Sequence, residues 1–362
     1  MVQGGGMEHT MNENQTVLLL ADGTEFFGKP MGAAGKAVGT VVFHTGMVGY
    51  QENLVSPSNS GLLLAQTFPL IGNYGVIDGK SAPVRAGGYI VREICASPSN
   101  YRCEGKLEDF LRDGQVVGIC GVDTRRLTRH IREKGEMTGM IFSGSGYDRE
   151  ALLEELSGWH PVFAPEMQAA RPAEVPGAKK TAAVLGEFTP GMQALFARRQ
   201  VQPACFGWDT PAEEILRLKP DGLLLSDGIG DPTAFPGRVK QVQALLEQEL
   251  PVFGIGLGHQ LLALAKGMEV CRMKCGHRGA NQPVYCPVDG RTYITAQNHG
   301  FVVKSVHDGG EIRFENANDH TVEGLSYRDI PAFSVQFLPD TMPGTQSTSY
   351  LYDEFFGLLG EG

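Results

Sequence analysis

One stretch of this chain constrains its fold more than any other. Pro251-Val-Phe-Gly-Ile-Gly-Leu-Gly-His-Gln260 carries an apolar run directly into the helical Leu261-Leu-Ala-Leu-Ala-Lys-Gly267, through Gly254-x-Gly256-x-Gly258. A buried strand that turns into a helix on small residues has the build of a nucleophile elbow, in which a strained central residue points at substrate. The free amides and dipole of the helix start would stabilise an oxyanion there. The position where a Ser or Cys would stand is Gly256. The plainer reading is a glycine-rich strand–helix turn or phosphate cradle, although the spacing is neither G-x-G-x-x-G nor a P-loop.

The residues around this turn repeat its pattern. Ala182 to Leu185, Gly222 to Leu225 and Val252 to Ile255 are short apolar runs, each followed by an amphipathic stretch such as Met192-Leu195-Phe196 or Val239-Val242-Leu245-Leu246. Strand–helix alternation of this kind predicts a doubly wound, mostly parallel sheet with function at the carboxyl ends of its strands. The first half differs. Its β-branched runs (Val17 to Leu20, Val38 to Phe43, Gly88 to Arg92, Val116 to Ile119) are separated by turn signals such as Asp22-Gly23, with helices expected around Leu107 to Arg112 and Thr124 to Lys134. That half reads as a strand-rich α+β domain. Between them lie a short helical stretch, Glu150 to Leu156, and then Pro161, Pro165, Pro172 and Pro176, which is linker chemistry. The expected division is 16–143, a linker over 144–179, and 180–362.

With 31 Lys plus Arg against 41 Asp plus Glu, the net charge is −10, which argues against a nucleic-acid binder. The polar, Gly-rich leader Met1 to Thr16 has neither the basic nor the apolar region of a signal peptide, and Met7 and Met11 leave the true start open. No apolar run approaches the ~20 residues that span a bilayer. Seven scattered cysteines argue against a secreted disulfide framework, so a soluble, cytoplasmic protein is expected. Cys271, Cys275, His277 and Cys286 lie close in sequence but lack a repeated C-x-x-C pair, so no metal site is expected in this chain.

Other strand ends add polar groups. Leu223-Leu-Leu-Ser-Asp-Gly-Ile-Gly-Asp-Pro232 would expose amides at Gly228 and Gly230, either as an oxyanion wall or as an ordinary exit turn. Ala296-Gln-Asn-His-Gly-Phe301 is expected as a polar cluster following a strand at Thr292 to Thr295, and Ser334-Val-Gln-Phe-Leu-Pro-Asp340 as a strand ending at a proline.

Together these segments resemble the small, glutamine-amidotransferase subunit of carbamoyl-phosphate synthetase over nearly the whole chain. The first half contributes Asp22-Gly-Thr, Phe43-His-Thr-Gly-Met-Val-Gly-Tyr-Gln-Glu52, Pro69-Leu-Ile-Gly-Asn73, Asp123-Thr-Arg-Arg-Leu-Thr-Arg129 and Arg132-Glu-Lys-Gly135. The second contributes Leu225 to Pro232, Phe253 to Gly267, Met273-Lys-Cys-Gly-His-Arg-Gly279, Gln297 to Phe301 and Pro331 to Asp340. The resemblance implies a class I glutamine amidotransferase domain after the family's own N-terminal domain. It implies a Cys–His–Glu triad that forms a thioester with glutamine, and an internal tunnel carrying ammonia to a large subunit. There bicarbonate and ATP become carbamoyl phosphate for arginine and pyrimidine synthesis. ATP and a divalent metal are expected on that large subunit, and no cofactor on this chain. By the same resemblance, glutamine contacts fall on Ser58, Gly228, Gly230, Leu257, Gln260, Asn298, Gly300 and Phe301.

The triad positions break the family pattern. Gly256 stands for the Cys, and Leu338-Pro339-Asp340 stands where the family reads His-Pro-Glu. Asp227 replaces an Asn, Ile229 a Pro, and Leu185-Gly-Glu-Phe a Tyr-Asp-Phe-Gly-like start of the second domain. Neither His259 nor His299 is a nucleophile at the elbow, and Cys271 and Cys275 are expected beyond the helix and its following strand. The expectation is a pseudoenzyme, a small subunit whose glutaminase step is lost so that free ammonia is used. The alternatives are a working glutamine-hydrolysing subunit and a repurposed glutamine-binding sensor.

Overall fold

Residues 180–185 alternate Ala182 and Val184 with Ala183 and Leu185, all four fully buried. In a strand such neighbours point to opposite faces, so a strand buried on both sides needs cover on both sides. That requirement organises the second of two units, 1–164 and 165–362, into which the chain divides. The computed structural model describes residues 15–77, 83–160, 171–307, 309–339 and 346–360.

In the first unit, seven strands close into a barrel: β1 (Thr16–Leu20), β2 (Glu25–Gly32), β3 (Gly35–His44), β4 (Leu62–Gln66), β6 (Gly88–Val91), β8 (Val117–Cys120) and β9 (Met137–Ser143). The order around it is β1-β2-β8-β6-β4-β3-β9, with β3, β4, β6 and β8 parallel to one another and the other neighbours antiparallel. The short β5 (Leu70–Ile71) and β7 (Glu93–Ile94) pair separately. Helices α1 (Tyr50–Val55), α2 (Leu107–Asp113), α3 (Thr124–Lys134) and α4 (Arg149–Ser157) complete the unit. The N-terminus of α3 is capped by Asp123, whose carboxylate accepts from the Arg126 N–H at 2.9 Å. Within the 144–179 stretch, α4 packs Leu152 and Leu156 against Leu19 and Met140 of the barrel.

The second unit holds one nine-stranded sheet: β10 (Lys180–Leu185), β11 (Val201–Phe206), β12 (Gly222–Leu225), β13 (Val252–Ile255), β14 (Glu269–Cys286), β15 (Arg291–Ser305), β16 (Gly310–Asn316), β17 (Val322–Tyr327) and β18 (Ala332–Val335). Strands β11-β10-β12-β13-β18 run parallel, and β17-β15-β14-β16 extend them antiparallel. On one face, α5 (Pro190–Arg198) and α9 (Tyr350–Leu358) pack Met192, Phe196, Leu351, Tyr352 and Phe355 onto Ala182, Val184, Leu224, Phe253 and Ile255. On the other, α6 (Ala212–Arg217), α7 (Pro236–Leu246) and α8 (Leu257–Ala265) bring Ile215, Val242, Leu245, Leu261 and Leu262 onto Ala183, Leu185, Leu223, Leu225 and Val252. This is the doubly wound sheet that the alternation predicts, preceded by a strand-rich domain.

Two expectations need correction. Ala296 to Phe301 do not follow a strand; they lie inside β15, because pairing with β14 continues through Gln297↔Gly279, Asn298↔Arg278, His299↔His277 and Phe301↔Arg272. Cys271 and Cys275 lie within β14 itself, not beyond it. All seven cysteines are free thiols. Among the described residues, no helix is long and apolar enough to cross a membrane.

Candidate active site

The turn from β13 into α8 lies at the carboxyl end of a central parallel strand. Gly256 there adopts φ 56° and ψ −114°, a conformation of about 1–3 kcal/mol cost for a residue with a side chain. Its N–H donates to the Val335 carbonyl at 3.0 Å, which ties the end of β18 to the turn. Two residues on, a Cβ at Gly258 would lie 1.9 Å from the Leu225 carbonyl oxygen, so the helix can start this close to β12 only on glycine. The sequence signature and the backbone therefore agree on the geometry of an elbow.

What fills the elbow is Asp227, from the loop after β12. The Leu257 N–H, the amide directly after the turn residue, donates to Asp227 Oδ1 at 2.9 Å. In an elbow that amide is an oxyanion donor. Here a carboxylate of the protein itself occupies it, favoured by the positive end of the α8 dipole. The same carboxylate stands where a side chain at 256 would go. A Cβ built there meets Asp227 Oδ1 at 2.2 Å, its Cγ at 2.6 Å and its Cβ at 3.1 Å.

The positions expected to touch glutamine fall in both units. Gly228 abuts Leu257 and Trp208 so closely that a Cβ would come within 2.8 Å of each. Gly230 follows in the same loop, at φ 116°. On α8, Gln260 Nε2 donates to the Phe301 carbonyl at 3.3 Å and to Gln336 Oε1 at 3.0 Å, which joins the helix to β15 and to the segment after β18. Asn298, Gly300 and Phe301 lie on β15. Ser58 belongs to the first unit, in the 3₁₀ turn Pro57–Asn59, with its hydroxyl 2.8 Å from that of Ser56. Leu338 donates its N–H to the Ala296 carbonyl at 2.9 Å and packs, half-buried, against the core beneath α5 and α9. Asp340 lies outside the described residues.

His259 lies in the first turn of α8 and bonds to β18. It is fully buried, with Nδ1 2.8 Å from Ser334 Oγ, and burial holds its pKa down at about 3. The folded ring therefore stays neutral while the unfolded ring protonates near 6.5. Below that pH the unfolded state binds more protons, so stability falls as pH drops from about 6.5 towards 3 and is unaffected by this group above 6.5. The contribution is ~1.4 kcal/mol per pH unit at its steepest. Urea melts across this range should show a shallower acid slope for His259→Asn than for the parent protein; equal slopes would refute the buried neutral ring.

Sequence reading missed a second polar cluster, on the antiparallel strands. His277 on β14 lies between Asp319 (2.9 Å from Nε2) and Glu323 (3.1 Å from Nδ1). Burial opposes its charge, but these two carboxylates outweigh burial and raise it to about 9. Asp319 is held down at about 2, where the His277 bond and charge overcome burial. Burial pushes the wholly enclosed Glu323 up, with His277 pulling the other way. His299, also buried, is held well below its usual value by burial and by the charge on His277. The signal for this cluster was faint, because Asp319 and Glu323 come 42 and 46 residues after His277.

Comparison with known proteins matches the two halves of the chain to two families. The family model of the carbamoyl-phosphate synthase small chain, CPSase domain, matches residues 18–141, and that of glutamine amidotransferase class-I matches residues 187–358. The carbamoyl phosphate synthase small chain of Syntrophotalea carbinolica is 39% identical, covering 95% of this chain and 98% of that one. The corresponding small chain of Clostridium perfringens is 40% identical over 93% and 97%. A solved glutamine amido transferase from Methylobacillus flagellatus covers 51% of this chain and 93% of its own at 15% identity, with a TM-score of 0.39. By its sequence and by the two family models that divide it, the chain belongs to the carbamoyl phosphate synthase small chain family.

Proposed function

We propose that this chain serves as a non-hydrolysing small subunit of carbamoyl phosphate synthase. It binds a large subunit, which brings the ATP and divalent-metal chemistry, and the complex draws on free ammonia instead of glutamine nitrogen for carbamoyl phosphate, the precursor of arginine and pyrimidines. One observation carries the reading. Gly256 offers no nucleophile at the elbow, and the Asp227 carboxylate stands 2.2 Å from where a Cβ would project. A thioester needs a sulfur, and removing one acting member of a nucleophilic triad costs on the order of 10⁶ in kcat in the subtilisin series. Leu338 adds to this, because its side chain can neither take up nor deliver a proton.

The test is to co-express the chain with its large subunit and assay carbamoyl phosphate formation with glutamine or with ammonium as nitrogen source. Formation with ammonium only, and no ammonia release from glutamine above buffer, is expected. Release at ordinary enzyme rates would sink the non-hydrolysing reading, and failure to co-purify would sink the partner reading. A second reading, a glutamine-binding sensor, rests on the retained residues Gln260, Asn298, Gly300 and Phe301, which the family resemblance places around glutamine. Calorimetry with glutamine on the isolated chain separates the two: heat of 1:1 binding together with failure to co-purify selects the sensor.

A further inference from the structure

The polar cluster on the antiparallel strands is built like a ligand set. His277 and His299 are direct cross-strand partners, with rings edge to face and centroids 5.1 Å apart. Glu323, on β17, is 0% exposed, and its Oε1 lies 3.1 Å from His277 Nδ1 and 3.8 Å from His299 Nε2. The candidate donor atoms of the three residues all lie within 4.8 Å of one another.

The orientation of each ring is set from behind. His299 Nδ1 is 2.9 Å from the Phe301 carbonyl, which can only accept, so Nδ1 carries the hydrogen and Nε2 a lone pair. That lone pair faces two further acceptors, Glu323 Oε1 at 3.8 Å and Gln297 Oε1 at 3.3 Å. His277 is steadied in the same way by Asp319 on Nε2, the carboxylate–histidine arrangement that orients metal ligands. Glu323 Oε2, enclosed, has no hydrogen-bond partner among the described residues. Glu323 Oε1 already accepts from His277 Nδ1 and, at 3.3 Å, from Asn316 Nδ2, so Glu323 Oε2 and the His299 Nε2 lone pair are the acceptors left for a cation.

We propose that His277, His299 and Glu323 bind one divalent transition-metal ion of the zinc class. Tetrahedral zinc at about 2.0–2.1 Å from each donor places the donors roughly 3.3 Å apart; the two separations to Glu323, 3.1 and 3.8 Å, bracket that spacing, and the two histidines, within 4.8 Å of each other, close toward it on binding. Two imidazoles with one carboxylate favour zinc, cobalt or nickel over magnesium or calcium. Binding exchanges a proton for the metal: His277 Nδ1 releases its hydrogen to solvent and the freed lone pair forms the metal–nitrogen bond. Gln297 Oε1 is placed to be the fourth donor. The set is drawn from three strands and uses none of the cysteines, so cysteine spacing could not reveal it.

The full chain, stripped with chelator, is titrated with zinc and its metal content measured after dialysis. One zinc per chain and a zinc-dependent rise in melting temperature are expected, with affinity at least about 100-fold weaker in Glu323→Gln. A Cys271→Ser, Cys275→Ser variant should bind as the parent does. Absence of stoichiometric binding at micromolar zinc, undiminished binding by Glu323→Gln, or loss of binding in the cysteine variant would each overturn the site. Should Glu323→Gln fail to fold, the cobalt spectrum of the parent decides: tetrahedral bands without thiolate charge transfer support the assignment, and thiolate bands or no binding refute it.

Discussion

Gly256→Cys by itself will yield a thiol that a chloroketone glutamine analogue alkylates at least about ten-fold more slowly than the same cysteine in an Asp227→Ala background. Two effects act in one direction. The new Cβ would meet Asp227 Oδ1 at 2.2 Å and Cγ at 2.6 Å, so either the turn or the carboxylate must shift. The carboxylate is held in place by the Leu257 N–H at 2.9 Å. A negative charge at this distance also raises a thiol's pKa and lowers its thiolate fraction, the reactive form. Asp227→Ala removes both and frees the Leu257 amide, and a factor of ten requires only ~1.4 kcal/mol. Peptide mapping must assign the label to position 256, since seven native thiols are present. Equal labelling rates in the two backgrounds would show that Asp227 does not hold the space. Ammonia release should stay at background in both and should need Leu338→His as well, because no base otherwise stands at that position.

Phe253→Ala will destabilise the second unit by about 3–5 kcal/mol, the cost typical of emptying a buried aromatic site. Phe253 is 0% exposed at the centre of the sheet, stacked on Phe333 at 4.5 Å and edge-on to Tyr352 at 5.5 Å. These contacts join β13 and β18 to α9, so the cavity opens beneath the candidate site. In a domain of this size the loss corresponds to a fall of roughly 6–20 °C in melting temperature. Calorimetry of the full chain should show that fall in one transition and little change in the other, because the barrel has its own core. A Phe253→Leu variant should recover most of the loss. A shift below 2 °C for Phe253→Ala would mean that the core collapses around the deletion.

The parts of the molecule that were legible in the sequence are those whose information is local. Val252 to Ile255 could be read as a buried strand, and the glycines at 254, 256 and 258 as the turn, because strand, turn and helix are contiguous. The closure of the barrel was not legible. It rests on β1 meeting β9, with Thr16 and Ser143 hydrogen-bonded across 127 residues, and no periodicity encodes such a pairing. Strand β14 was hidden for a different reason. Its register shifts between Arg272 and His277 and again between Gly279 and Gln282, which breaks the two-residue rhythm that marks a strand. Asp227 was visible as an unusual residue for the family, but its place in the turn depends on how the loop after β12 folds back over α8. For the same reason the Glu323 cluster, assembled from strands far apart in sequence, could be found only in three dimensions.

The contact between position 256 and Asp227 also bears on descent. If the ancestor carried a cysteine at the elbow, a return to it is blocked at the first step. Cysteine at 256 with Asp227 in place meets a clash and backbone strain, and removal of Asp227 with glycine in place brings back no chemistry. Neither single substitution gives selection anything to act on. The pair therefore behaves as an epistatic ratchet, and reversal would require both changes, with a proton-carrying residue restored at Leu338 as well, in one lineage before any of them was useful.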